Sequence, residues 1–325
     1  MVAGSPAFQT GGMAGAPGVT AFVTEADGFI GSELVSVLVA GGHQVIALTR
    51  SLDASRRMRR AGATPVVGDL LTPGKWQDET TADWVFHLPP HPLDGGRVSR
   101  RRAAAIIRDR VVMDANLLDA VAGGSTRRVV YVAAACCYGP TGCRSITEDE
   151  PTRPSAWRRG LTPALDRLDG YIAAGLPIVT AFPGWVYGNG SWFRERVITP
   201  VLAGGRVLQF GKTGPLVSPI HVHDCARALV HLAERGEAGG GYFLVNNDPV
   251  RLDEFATRFA ALANRPLRRW RIPSAATRLV VGPILADYVQ ADAALSNIRL
   301  RGIGFRFEYP TLEQGLQQIL GAVHE

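Results

Sequence analysis

The chain has 325 residues, 46% of them hydrophobic, enough to bury a full core as one large domain or as a domain with an attached lobe. Apolar runs such as "LVSVLVAGG" are too short and interrupted to span a bilayer, which excludes a membrane protein of the helical kind. The net charge of +6 is spread over short arginine groups such as "RRMRR", with no aromatics between them, which argues for a small-molecule partner and against nucleic acid.

The first 18 residues are rich in Gly, Ala and Pro and read as a disordered tail rather than a signal peptide. Segment 19–24, "VTAFVT", is then a buried strand, and "SELVSVLVAGG" is a helix closed by Gly41-Gly42 in a left-handed cap. Further strands follow in "HQVIALTR", "TPVVGDL", "DWVFHLPP", "RRVVYVAAACCYG" and "LPIVTAFPG", with helical stretches between most of them, the clearest over Val98–Ala122. This alternation is that of an α/β, Rossmann-like, doubly wound parallel sheet. Past about residue 185 the pattern turns irregular. The expected division is therefore a sheet domain over 19–184 and a smaller C-terminal substrate lobe over 185–325, with some segments returning to the main sheet. Cys136, Cys137, Cys143 and Cys225 have neither disulfide nor zinc spacing, so a reducing, cytoplasmic setting without a metal is expected.

Six landmarks in order carry a resemblance: "GFIGSELV", "VVGDL", "VFHLPP", "YVAAACCYGP", "FPGWVYG" and "SPIHVHDCARAL". With them the chain resembles the extended short-chain dehydrogenase/reductases of the NAD-dependent epimerase/dehydratase type, over nearly its whole length after residue 18. The resemblance implies a dinucleotide groove lined by Thr24, Gly28, Phe29, Ile30, Gly31, Arg50, Asp69, Leu70, Leu88 and Pro89. Arg50 stands where NADP-preferring relatives place an arginine, so NADP(H) is the implied cofactor. The resemblance also implies a homodimer through helices of the sheet domain, over Val98–Ala122 and 155–173.

The departures from that pattern bear on function. Neither lysine of the chain, Lys75 or Lys212, follows a tyrosine by four residues, so the family's Tyr–Lys proton-transfer pair is absent. By the family's spacing the serine position is Ala134, the tyrosine position Trp157, the lysine position Leu161 and the helix asparagine Arg110. Glu25 replaces the first glycine of the turn, and a contact between Glu25 and Arg50 would neutralise that carboxylate. Pro89 and Pro90 replace the small residues of the family's "HLAA".

The expectation is a tailoring enzyme acting on a small, partly aromatic, polyketide-like metabolite by non-redox acid–base chemistry: cyclisation, dehydration or isomerisation. Cys136, Tyr138, His91 and Asp94 are its candidate acids, bases or nucleophile. Ala134, Trp157, Trp185, Tyr187 and Trp192 are candidate substrate contacts. Two alternatives stand beside it: an NADPH-dependent ketone reductase or epimerase with a non-standard proton donor, and a non-catalytic ligand sensor or scaffold. His87 reads as a structural strand residue, His221 and His223 as a poor metal pair, and Asp224 as the cap of the helix "CARALVHLAE".

Overall fold

The computed structural model describes residues 18–89, 99–138, 140–152, 156–212, 214–282, 286 and 292–324, without the side chains of 136, 137, 156–161 and 324. The expected tail, except residue 18, lies outside the described residues, as do His91 and Asp94.

Seven strands form one parallel sheet: β1 (Thr20–Val23), β2 (Gln44–Thr49), β3 (Thr64–Val67), β4 (Trp84–His87), β5 (Arg128–Val132), β6 (Ile178–Pro183) and β7 (Gly241–Leu244). Their order is β7-β6-β5-β4-β1-β2-β3, and every neighbouring pair is parallel. The order reverses between β1 and β4, which leaves a crevice at their carboxyl ends. The last strand, "GYFL", closes an edge of the sheet that the sequence pattern did not reveal.

The helices α1 (Phe29–Ala40), α2 (Leu52–Arg60), α3 (Arg100–Ala122), α4 (Ala156–Ala173) and α5 (Val222–Arg235) cover the sheet. Successive strand residues point to opposite faces. Thus Ala21 and Val23 of β1 join α1 and α5 through Leu34, Leu38, Leu229 and Leu232, while Phe22 joins α3 and α4 through Leu117, Leu118 and Leu168. Truncating a fully buried leucine such as Leu34 or Leu117 to alanine would cost about 2–5 kcal/mol. At the end of α1 the left-handed residue is Gly42, at φ 77°, whereas Gly41 has an ordinary φ of −75°. Within α1 and α5, side chains also meet: Glu33 accepts a 2.6 Å bond from His223 Nδ1.

Residues after β6 build a second core. Trp185–Tyr187 pairs with Pro219–His221 and Arg206–Phe210 with Arg268–Ile272, in parallel; apart from that core, Gly142–Ile146, which precedes β6, pairs in parallel with Ala293–Leu295. Helices α6 (Leu252–Leu262) and α7 (Leu312–His324) pack on the first of these through Phe255, Phe259, Leu312, Leu316 and Ile319. Residues 222–244, by contrast, supply α5 and β7 to the main sheet. Among the described residues no helix is long and apolar enough to cross a membrane.

Candidate functional site

The site begins at the turn from β1 to α1. Glu25 takes φ 49°, the left-handed conformation for which glycine is the ordinary residue. Its carbonyl accepts the Gly28 N–H at 3.0 Å and closes the turn. A Cβ on Gly31 would lie 2.1 Å from that carbonyl oxygen, so only glycine lets the helix sit this close to the turn. Helix α1 starts at Gly28 with no side-chain cap and no acidic residue in its first turn. Its first N–H groups therefore form a ready anion site.

The two acids of the turn are drawn aside. Glu25 Oε2 lies 3.6 Å from Arg50 Nη2 and Asp27 Oδ2 lies 2.8 Å from Arg57 Nη2. Arg50 remains two-thirds exposed in this pair, which makes the contact worth about 0–1 kcal/mol. A phosphate competes easily with such a pair. Phe29 rests its ring against Gly188 of the lobe, and Ile30 packs against the sheet core. Asp69 follows β3, exposed, with its carboxylate accepting the Leu71 N–H at 2.9 Å; Leu70 is buried and its carbonyl accepts from Asn116 at 2.8 Å. Thr24, Leu88 and half-buried Pro89 complete this edge. The ten residues of the implied dinucleotide groove thus lie on the turns that follow β1 to β4 or on the first turn of α1. The uncapped N-terminus, the close glycine and the diverted acids fit a dinucleotide's pyrophosphate.

Beneath the groove lies a buried polar network that runs from β1 to β5. The Thr24 hydroxyl lies 3.2 Å from His87 Nδ1, and His87 Nε2 lies 2.7 Å from Asp114 Oδ1. Burial lowers the His87 pKa in spite of Asp114, so the ring is neutral. The network then assigns its tautomer. Nε2–H donates to Asp114, Nδ1 accepts from the Thr24 hydroxyl, and Thr24 Oγ1 accepts the Leu88 N–H at 2.9 Å.

Arg110 completes the network from α3. Its Nε donates to both Asp114 oxygens, at 2.9 and 3.0 Å, and to the Tyr131 hydroxyl at 3.2 Å. Its Nη2 donates to the Val132 carbonyl at 3.0 Å. The Tyr131 hydroxyl donates to Asp114 at 2.6 Å. Burial alone would raise the Asp114 pKa, but the Arg110 charge and the His87 and Tyr131 bonds outweigh it and hold the carboxyl below its ordinary value. Burial, with the Asp114 charge and bond, pushes the Tyr131 hydroxyl up despite Arg110. The network is an ionised Arg110–Asp114 pair flanked by a neutral histidine and a neutral tyrosine. Sequence reasoning missed it, although the i,i+4 spacing of Arg110 and Asp114 within one helix was a visible signal.

At the end of β5 stand Ala133 and Ala134, then one helical turn over Ala135–Tyr138. Cys136 lies on that turn and Trp157 on α4, their side chains outside the described residues. Tyr138 is placed differently from its expected chemical role. Its ring is buried against Phe182 and Phe243, with centroids at 5.4 and 4.7 Å, and its hydroxyl donates to the Glu148 carbonyl at 3.3 Å. It is a packing residue.

The aromatic segments of the lobe are also largely packed inward. Tyr187 and Phe193 are fully buried, and Tyr187 meets Phe193, Phe255 and His221 at 6.0, 5.4 and 5.5 Å. Trp192 packs on Trp185, Phe193 and Phe255 and donates its indole N–H to the Val186 carbonyl at 2.9 Å. Apolar burial gathers these rings into the lobe core, and only Trp185 and Trp192 keep part of their surface exposed.

The "IHVHD" segment differs too. His221 is the N-cap of α5, and its Nδ1 accepts the His223 N–H at 3.3 Å. Asp224, fully buried, instead accepts the Glu308 and Tyr309 N–H groups at 2.9 and 2.7 Å and so ties the last segment to α5. Among the described residues no group of three or more His, Cys, Asp or Glu side chains could hold a metal.

Comparison with known proteins agrees with this architecture. The profile of the NAD dependent epimerase/dehydratase family matches residues 21–246. A "4-hydroxy-2-methyl-3-oxo-4-farnesyl-3,4-dihydroquinoline-1-oxide ketoreductase" of Stigmatella aurantiaca is 28% identical over 73% of this chain and 71% of its own length. A "3-diazoavenalumate denitrifying reductase" of a Streptomyces species is 28% identical over 90% of this chain and 98% of its own. Among solved structures, a human epimerase family protein with NADPH superposes with a TM-score of 0.75 at 22% identity, covering 93% of this chain and 99% of the other. A UDP-glucuronic acid 4-epimerase from Bacillus cereus, solved with UDP-glucuronic acid and NAD, gives 0.78 at 16% identity over 94% and 99%.

Proposed function

Because the chain belongs to the NAD dependent epimerase/dehydratase family, we propose that it is an NADPH-dependent reductase of a ketone in a small, partly aromatic secondary metabolite, one that takes its proton from a group other than the Tyr–Lys pair. The observation that carries this reading is the β1–α1 turn. Glu25 reproduces the backbone of the missing glycine at φ 49° and turns its carboxylate to Arg50, which leaves the uncapped start of α1 open to a pyrophosphate. The two curated relatives described above are both named as reductases, which moves the weight from the non-redox chemistry expected of the sequence to reduction. A bound nicotinamide dinucleotide would supply the hydride.

The chain's own residues then have limited tasks. Gly28, Phe29, Ile30 and Gly31 would meet the phosphates, Arg50 a 2′-phosphate, and Asp69 with Leu70 the adenine side. Tyr131 is excluded as proton donor, because burial raises its pKa and its hydroxyl is committed to Asp114. Arg110 is excluded too, since its Nε and Nη2 are spent on Asp114, Tyr131 and Val132 and its pKa is raised. What Arg110 does is hold the last carbonyl of β5 in place, two residues before Ala134. The proton comes from water or from another side chain, for which Cys136 on the turn after β5, and His91 and Asp94, which lie outside the described residues, remain the candidates. The exposed outer positions of α3, Val112 among them, suit a homodimer contact.

The deciding experiment is calorimetric titration with NADPH and NADH, followed by incubation with [4-²H]NADPH and a panel of aryl ketones. Micromolar NADPH binding with a one-dalton gain in a reduced product supports the reading. Absence of dinucleotide binding up to millimolar concentration overturns it.

A further inference from the structure

The lobe strands Arg206–Phe210 and Arg268–Ile272 have one covered face and one bare face. They pair in parallel with Arg206 opposite Arg268, Leu208 opposite Trp270 and Phe210 opposite Ile272. Residues directly opposite share a face, as do alternate residues along a strand. The intervening Val207 and Gln209 are buried, and Arg269 donates to the Thr257 hydroxyl of α6 at 2.7 Å, so their face meets the lobe core. Arg206, Leu208, Phe210, Arg268, Trp270 and Ile272 therefore form the outer face.

This outer face is apolar where a solvated one would be polar. Trp270 is 63% exposed, and Leu208, Phe210 and Ile272 are half-buried. None of the four joins an apolar core among the described residues. Parallel strands are ordinarily covered on both faces, most often by helices. At one end of the face Arg206 and Arg268 stand side by side, both exposed and neither with an acidic partner among the described residues. Like charges directly opposite destabilise a strand pair. A carboxylate between them would reverse that by bonding to both guanidinium groups. Tryptophan and arginine are also the residues that most often anchor a protein interface.

We propose that this face docks an acidic amphipathic helix of a partner protein, whose apolar stripe covers Leu208, Phe210, Trp270 and Ile272 and whose carboxylate lies between Arg206 and Arg268. Each strand has five residues and spans about 16 Å, the length of about three helical turns. The partner therefore presents apolar residues at i, i+3 or i+4, and i+7, with Asp or Glu toward the arginine end. A face this small suits a transient encounter rather than a permanent complex. Two arginines fall short of the about four to eight basic residues of a lipid-binding cluster, which favours a protein over a membrane.

The full chain is titrated into a fluorescein-labelled synthetic helix with leucine along one face and glutamate on the rest, and anisotropy is read at low and at physiological salt. Saturable binding in the micromolar range that weakens with salt is expected. Trp270→Ser and Arg268→Glu should each weaken it at least tenfold; both side chains are exposed, and thermal melting confirms the fold. In the unaltered protein the same helix with lysine for glutamate should bind at least tenfold more weakly, a comparison that stands even where a variant fails to fold. Binding that does not saturate below millimolar helix overturns the proposal. Equal binding by either variant, or of the lysine helix, overturns it too. Sedimentation of the chain with phosphatidylglycerol vesicles that is lost in Trp270→Ser, without binding of the acidic helix, assigns the face to lipid and overturns it as well.

Discussion

Arg110 grips Asp114 through one nitrogen, its Nε lying 2.9 and 3.0 Å from the two carboxylate oxygens, one helical turn apart in α3 and almost wholly out of water. The pair sits where the family pattern has an asparagine, and it holds β5 to α3 through Val132. Arg110→Met would leave Asp114 buried with only His87 and Tyr131 for partners, at a cost of about 3–5 kcal/mol. The double change Arg110→Met with Asp114→Leu removes both charges and is expected to recover at least half of that loss. Urea denaturation of the two variants measures this. A single variant within about 1 kcal/mol of the parent would show that the ion pair does not hold the strand end.

The Glu25 position separates stability from ligand binding. Glu25→Gly relieves left-handed strain of about 1–2 kcal/mol. It adds unfolded-state entropy of about 0.4–1 kcal/mol and forgoes the Arg50 contact of about 0–1 kcal/mol. Folding stability should therefore move by no more than about 1 kcal/mol, while NADPH binds several-fold tighter because Arg50 is released from Glu25 to meet the 2′-phosphate. Arg50→Ala should lower NADPH affinity at least tenfold and leave NADH affinity nearly unchanged. Calorimetry on both variants checks the pair. Weaker NADPH binding in Glu25→Gly would mean that the carboxylate itself serves the site.

These residues show what a sequence can and cannot reveal about such a site. The strands announce themselves because each is a run of apolar residues bounded by turn signals, and the glycines of the turn mark the groove. The edge strand β7 is only four residues long between glycines and asparagines, too short to stand out from a loop. The Arg110–Asp114 spacing lies within one helix and is readable. Their partners His87 and Tyr131 come from strands β4 and β5, and only the sheet brings them together. An aromatic cluster likewise has no printed direction: Tyr187 and Trp192 suit a pocket wall or a core equally until Phe255 and Phe259 of α6 are seen to cover them. Asp224 was readable as a helix-start residue, but its backbone partners Glu308 and Tyr309 come more than eighty residues later.

Tyr187 offers a direct test of that last placement. Its hydroxyl is buried with no partner among the described residues, and burial, helped by the Asp224 charge, pushes its pKa up. Tyr187→Phe removes an unsatisfied group without opening a cavity, so stability should stay level or rise by about 1 kcal/mol. Reductase turnover should not change, because the ring belongs to the lobe core. A drop of tenfold or more in kcat/KM with an unaltered melting temperature would return Tyr187 to the substrate site.

His221 and His223 should pull the stability of α5 in opposite directions with pH. Burial drives the His221 pKa down to about 4, against the opposing charges of Asp224 and Glu33 and with His223 adding to the effect. The rings of Tyr187 and Tyr309 also face it. The unfolded chain therefore takes up this proton first. The stabilisation is complete above about pH 6.5 and is lost as the pH falls toward 4, by about 3 kcal/mol in all. His223 behaves oppositely. Its bond to Glu33, with the Glu33 and Glu308 charges, raises its pKa against partial burial and Arg227. Its contribution is present below about pH 6.5 and fades as the pH rises through the higher folded value, a small effect for a partly exposed pair. His221→Asn, which can still accept the His223 N–H, should flatten the fall in urea midpoint between pH 6.5 and 4. His223→Gln should remove only the decline above 6.5. An unchanged acid limb in His221→Asn would assign that loss to the carboxylates instead, among them Asp114, whose lowered pKa places its own loss at the acid end of the range.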